Sequence, residues 1–101
     1  MFKFNKWSNN DDWTTPIEYW KKINHLIPND IIINDPFYMN GKAKEYWKQI
    51  GRDIIHEKKN FFMLEKNNSN EIYVSNPPHS ILNEVLKHLF YLEKPFILLI
   101  P

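Results

Sequence analysis

At 101 residues the chain is one domain at most, long enough for a real core but small for a complete α/β enzyme. Hydrophobic residues make up 43% and aromatics 16%, which argues against disorder, while 13 basic against 12 acidic residues are too balanced to mark a nucleic-acid binder by charge alone. Cysteine is absent, so disulfides and thiolate metal sites are excluded and an intracellular location is permitted; no apolar stretch reaches the length of a membrane span or forms a signal-peptide core.

Residues 1–12 are polar with scattered rings (Phe2, Phe4, Trp7) and read as an irregular arm that docks through them. Thr15 is placed to cap a helix, with Pro16 at its first position and Glu18 in its first turn. Ile17, Trp20, Ile23 and Ile27 keep helical spacing until Pro28 closes the segment. Asn29-Asp30 signals a turn. Ile31-Ile32-Ile33 is then a short β-branched run, the pattern of a parallel strand buried on both faces.

That strand ends at Asn34-Asp35-Pro36. Ala43, Tyr46, Trp47 and Ile50 sit on one helical face, and Gly51 stops the helix. The next strand centres on Ile54-Ile55. Phe61–Leu64 is apolar but fits helix and strand equally, and residues 67–70 are a turn. Glu71–Ser75 reads as a strand. Ser80 is placed to cap a helix whose stripe is Ile81, Leu82, Val85, Leu86, Leu89 and Phe90, broken at Lys94-Pro95 before a last strand, Phe96–Ile100. Strands alternating with helices predict an α/β fold with a parallel sheet and right-handed crossovers.

Ligands in such sheets bind outside the carboxyl ends of the strands, where the strand order reverses. Two proline corners, Asp35-Pro36-Phe37-Tyr38 and Asn76-Pro77-Pro78-His79, follow strands and are expected on that one rim. Consecutive prolines offer no backbone N–H and fix φ, so Asn76 is expected extended and stiffly held. Its amide oxygen and a proline carbonyl suit the two hydrogens of a planar NH₂ group, with the next side chain covering the ring face. The same residues equally suit a plain strand-to-helix loop. His25, His56, His79 and His88 are scattered, and no metal site is read from them.

Taken in order, Trp13-Thr14-Thr15-Pro16, Asp35-Pro36-Phe37-Tyr38-Met39-Asn40-Gly41 and Asn76-Pro77-Pro78-His79-Ser80 resemble the S-adenosylmethionine-dependent N-6-adenine DNA methyltransferases of phages and large DNA viruses. The stretches Ile55-His56-Glu57, Asn60-Phe61-Phe62 and Lys94-Pro95-Phe96-Ile97-Leu98-Leu99 fit the same pattern. The resemblance implies a Rossmann-like class I methyltransferase sheet, mostly parallel, in a virus-infected host cell. Family members continue past the equivalent of Phe96–Ile100. The sheet is therefore expected to be incomplete, with that strand near an open edge and a homo-oligomer or partner completing it.

Residue by residue, the resemblance implies that Asp35 faces the ammonium of S-adenosylmethionine in a partly dry crevice that favours its ionised form. Pro36, Phe37, Tyr38 and the loop to Gly41 would wall the cofactor. Glu57 would take the ribose hydroxyls, only one of Glu57 and His56 facing the crevice. Asn60 would accept from the adenine amino group and Phe61 would stack on the ring. Trp13, Thr14 and Pro16 would lie beside the cofactor's carboxylate. Asn76, Pro77, Pro78 and His79 would hold an adenine of DNA for direct methyl transfer. Met39 stands where the family often has glycine, and His79 where it has a larger aromatic. A protein glutamine amide is an alternative substrate, and a non-catalytic cofactor-binding or partner-binding module is the other alternative.

Overall fold

The structure, a computed structural model, describes residues 2–3 (as backbone), 16–39 and 41–100. Among the described residues five strands form one sheet: β1 (Phe2–Lys3), β2 (Ile32–Asn34), β3 (Ile54–Ile55), β4 (Glu71–Ser75) and β5 (Phe96–Ile100). Their spatial order is β1-β5-β4-β2-β3 and every pairing is parallel. Helix α1 (Ile17–Asn24) precedes β2, α2 (Lys42–Ile50) joins β2 to β3, and α3 (Leu82–Leu92) joins β4 to β5. The α/β parallel sheet expected from the alternation is therefore present.

The two crossovers step in opposite directions from the centre of the sheet, so right-handedness puts α2 and α3 on opposite faces. Two cores follow. On one face Ile33, Ile54, Ile72, Val74 and Leu99 pack with Trp20, Ile23, Ile27 and Trp47. On the other, Tyr73 and Leu98 pack with Phe61, Val85, Leu89 and Leu92. The central β4 is buried at every position, its residues alternating between the two cores.

Several expected boundaries shift. Pro16, with ψ 146, is the extended residue just before α1 rather than its first helical residue. The helix ends at Asn24, and Ile27, although only 5% exposed, reaches the core from the turn beyond. Proline at 28 disfavours a helical Ile27, which explains the early stop. Ser80 does not cap α3. It lies in a 3₁₀ turn, His79–Ile81, and α3 starts at Leu82, one residue later than a cap at Ser80 implies.

Two residues expected inside are outside. Ile32 is 44% exposed and Phe90 69%. Between β3 and β4 the chain makes only a short 3₁₀ turn, Phe61–Met63, so no helix covers Ile32 on the α3 side. In α3 the stripe runs through Val85, Leu89 and Leu92, which turns Phe90 away. Phe2–Lys3 is also corrected: it is not irregular but pairs with Leu99 and Ile100, covering part of the β5 edge.

At the amino ends of the strands, Arg52 ties the layers together. Its guanidinium donates to Asn24 Oδ1 at 3.0 Å, to the carbonyls of Ile27 at 3.2 Å and Ile31 at 3.1 Å, and to the Pro28 carbonyl. These are the acceptors left over as α1 ends and the chain turns into β2. A charged fork with several donors satisfies them together.

Candidate functional site at the carboxyl rim of the sheet

The chain leaves β2 to form β3 on one side and later returns to place β4 on the other. The carboxyl ends of β2 and β4 thus flank the point where strand order reverses. Asp35 follows β2 and Ser75-Asn76 closes β4, with Asn34 opposite Tyr73 in register. The Ser75 hydroxyl donates to Asp35 Oδ1 at 2.5 Å, joining the two proline corners directly.

Asp35 is enclosed, at 3% exposure. Oδ1 also accepts the Phe37 N–H at 3.2 Å, and Oδ2 lies 3.9 Å from His56 Nδ1. Burial raises its pKa from 3.8 to about 6, against the opposing pull of His56, the Ser75 hydroxyl and the Phe37 N–H. The expectation of a crevice favouring the ionised form is reversed, because lost hydration outweighs the partners. The carboxylate faces the rim's own groups and stabilises the turn that carries Phe37.

Pro36 is buried, while Phe37 and Tyr38 are half-buried. The Phe37 ring lies 4.8 Å from Phe61 at 38°. The turn closes with the Gly41 N–H on the Tyr38 carbonyl at 2.8 Å. Gly41 has φ 77, and a Cβ there would stand 2.7 Å from the Tyr38 hydroxyl oxygen, so both backbone and space require glycine. Met39 has φ 49 as well, without glycine's freedom.

His56 and Glu57 divide as alternation requires. His56 is 5% exposed and turns inward beneath the first corner, its ring stacked 5.0 Å from Tyr38 at 25°. Glu57 is exposed and borders a narrow cleft of about 20 Å³ with Asn34, Pro36, Lys59, Phe61 and Leu64. Its carboxylate meets Lys59 Nζ at 3.1 Å, both side chains being more than half exposed.

Phe61 serves core and cleft together, at 3% exposure. Asn60 instead caps the 3₁₀ turn, its Oδ1 accepting the Phe62 N–H at 3.0 Å. That carbonyl oxygen is thus already committed to holding Phe61 in place.

The second corner passes from buried Ser75 through half-buried Asn76, buried Pro77 and half-buried Pro78 to exposed His79. Trp13, Thr14, Thr15 and Asn40 lie outside the described residues. Pro16 is half-buried just before α1, whose C-terminal end Arg52 holds at the amino ends of the strands. Lys42, Lys44 and Lys48 are exposed on α2.

Sequence reasoning missed Ser75, Asn34 and Leu64. A small hydroxyl residue ending an apolar strand directly before the Asn-Pro-Pro corner was the available signal for Ser75. Asn34 and Leu64 carried none, since each reads as an ordinary strand-end or loop residue. Among the described residues no group of three or more His, Asp or Glu could hold a metal, and no helix is long and apolar enough to cross a membrane. No family model, curated protein or solved structure matches the chain.

Proposed function

We propose that this rim binds S-adenosylmethionine and presents it to the exocyclic amino group of adenine in DNA. The supporting observation is the joining of the Asp35 and Asn76 corners by the Ser75 hydroxyl at the reversal of strand order. The cleft beside it fits the adenosyl part in kind, since Glu57 offers an exposed carboxylate for ribose hydroxyls and Pro36, Phe61 and Leu64 offer apolar wall. Pro16, just before α1, together with Trp13 and Thr14 that precede it in sequence, would receive the carboxylate, since free helical N–H groups favour an anion.

When bound, S-adenosylmethionine supplies an electrophilic methyl group on sulfonium sulfur. Asn76 Oδ1 and the Pro77 carbonyl would accept the two amino hydrogens, fixing the nitrogen's direction and raising its electron density. Pro77 and Pro78 lock the backbone that carries these acceptors, so the orienting cost falls on folding rather than on the reaction. His79, exposed beside them, would cover the base with a smaller ring than a phenol or indole. An adenine in duplex DNA would have to be turned out of the stack to reach this corner. Asp35 would act chiefly by shaping the rim, given its enclosure.

That enclosure also favours a second reading, a non-catalytic cofactor-binding or partner-binding module. The cleft, at about 20 Å³, lies far below the roughly 300 Å³ at which small-molecule sites usually begin. Calorimetry with S-adenosylmethionine, paired with labelled-methyl transfer to DNA, separates the readings. Binding with transfer abolished by Asn76→Ala is expected. Binding with no transfer would favour the module, transfer to a glutamine amide instead would replace adenine as substrate, and no binding would overturn the proposal.

A further inference from the structure

His56 is a buried titratable side chain with no part in the chemistry proposed above. Both ring nitrogens face backbone carbonyl oxygens: Nδ1 lies 2.9 Å from the Asp35 carbonyl and Nε2 3.1 Å from the Tyr38 carbonyl. A carbonyl oxygen only accepts. A neutral imidazole carries one N–H, so one of these contacts would set a lone pair against a lone pair; an imidazolium carries two and satisfies both. Turning the ring over would exchange Nδ1 with Cδ2 and Nε2 with Cε1 and set C–H groups against both carbonyls, so the observed orientation is the one that pairs them.

Asp35 Oδ2 lies 3.9 Å from Nδ1, close enough for the carboxylate, when ionised, to oppose the ring's charge. Tyr38 lies flat against the ring, an arrangement that suits a cation on an aromatic face. The titratable groups set against this ring include the Asp35 carboxyl and the Tyr38 phenol; neighbouring Glu57 is paired with Lys59 outside.

We infer that His56 is a positioning residue that spans the Asp35–Tyr38 corner as an imidazolium, so that the shape of this corner follows the protonation of one buried ring. Losing a proton frees one carbonyl and loosens the turn that carries Phe37 and Tyr38. The consequence for ligand binding rests on the proposed cofactor site; the span itself does not.

The test is nitrogen-15 spectroscopy of the imidazole in the whole chain across pH. Two slowly exchanging ring N–H signals are expected in the acid form, each coupled through a hydrogen bond to one carbonyl carbon, Asp35 or Tyr38. Raising the pH should remove one of them, with the amides of Tyr38 and Gly41 shifting at the same midpoint. In His56→Gln these two amides should sit at their high-pH positions and cease to titrate, while the Phe37 N–H goes on reporting its own partner, the Asp35 carboxyl. S-adenosylmethionine affinity should fall about tenfold across the same transition, the size of one hydrogen bond to a charged group. A single coupled N–H at every pH, or corner amides that ignore the ring's titration in the native chain, would overturn the inference. Absence of cofactor binding at any pH would instead remove the proposed function and leave the span standing.

Discussion

The two rims of the sheet treat buried charge in opposite ways. At the amino ends, Arg52 gives its donors to Asn24 Oδ1 and three carbonyls, and the chain turns there on a single charged fork. At the carboxyl ends, Asp35 is enclosed with its pKa raised to about 6, His56 faces two acceptors, and Met39 takes a left-handed backbone. The difference separates a rim arranged for stability from one where local cost is retained around a possible ligand. Such retained cost is what functional sites tend to carry.

Arg52→Ala should break the quieter rim most severely, by about 3 kcal/mol in urea unfolding, because several carbonyls lose a charged donor together. Cofactor binding by the folded fraction should be unchanged, since the substitution lies at the opposite rim.

Asp35→Asn probes the other rim, and its effect depends on pH. Burial raises the folded pKa from 3.8 to about 6, so the protonated form is favoured in the fold. Its stability contribution is fully present below 3.8 and is lost as pH rises through about 6. The full difference is roughly 3 kcal/mol at most. Asparagine can still accept from Ser75 and Phe37 but cannot ionise. The variant should therefore lack this fall between about pH 4 and 6, and should be the more stable protein at neutral pH. A native unfolding profile that is flat across that range would contradict the buried acid.

Met39→Gly is the gentlest. Relief of the left-handed backbone should raise stability by about 1 kcal/mol, offset in part by the greater freedom of glycine when unfolded. A thermal midpoint that falls instead would mean that the Met39 side chain, 43% exposed, supports the corner.

Most of the architecture was legible because periodicity and breakers agree locally. Gly51 ends α2 with φ 97, and β2, β3, β4 and β5 lie within the stretches their apolar runs marked. The shared rim of Asp35 and Asn76 followed from one topological rule. What failed depended on distant parts of the chain. Ile32 looked doubly buried until the β3-to-β4 connection proved to lack a helix. Phe90 looked like core until Leu92 completed the stripe. At the site, Asn60 and Asp35 offered suitable functional groups, but no local pattern tells that a turn's own N–H or a neighbouring strand's hydroxyl has already engaged them.

The pairing of β1 with β5 has a bearing on how the molecule comes together. Phe2 lies beside Leu99, and Lys3 beside Ile100, so these contacts join segments separated by almost the whole chain. None can form on a ribosome before the last strand has emerged, and the entropy of closing so long a loop weighs against them until the rest has condensed. This edge strand is thus expected to join the sheet only after β5 has paired with β4.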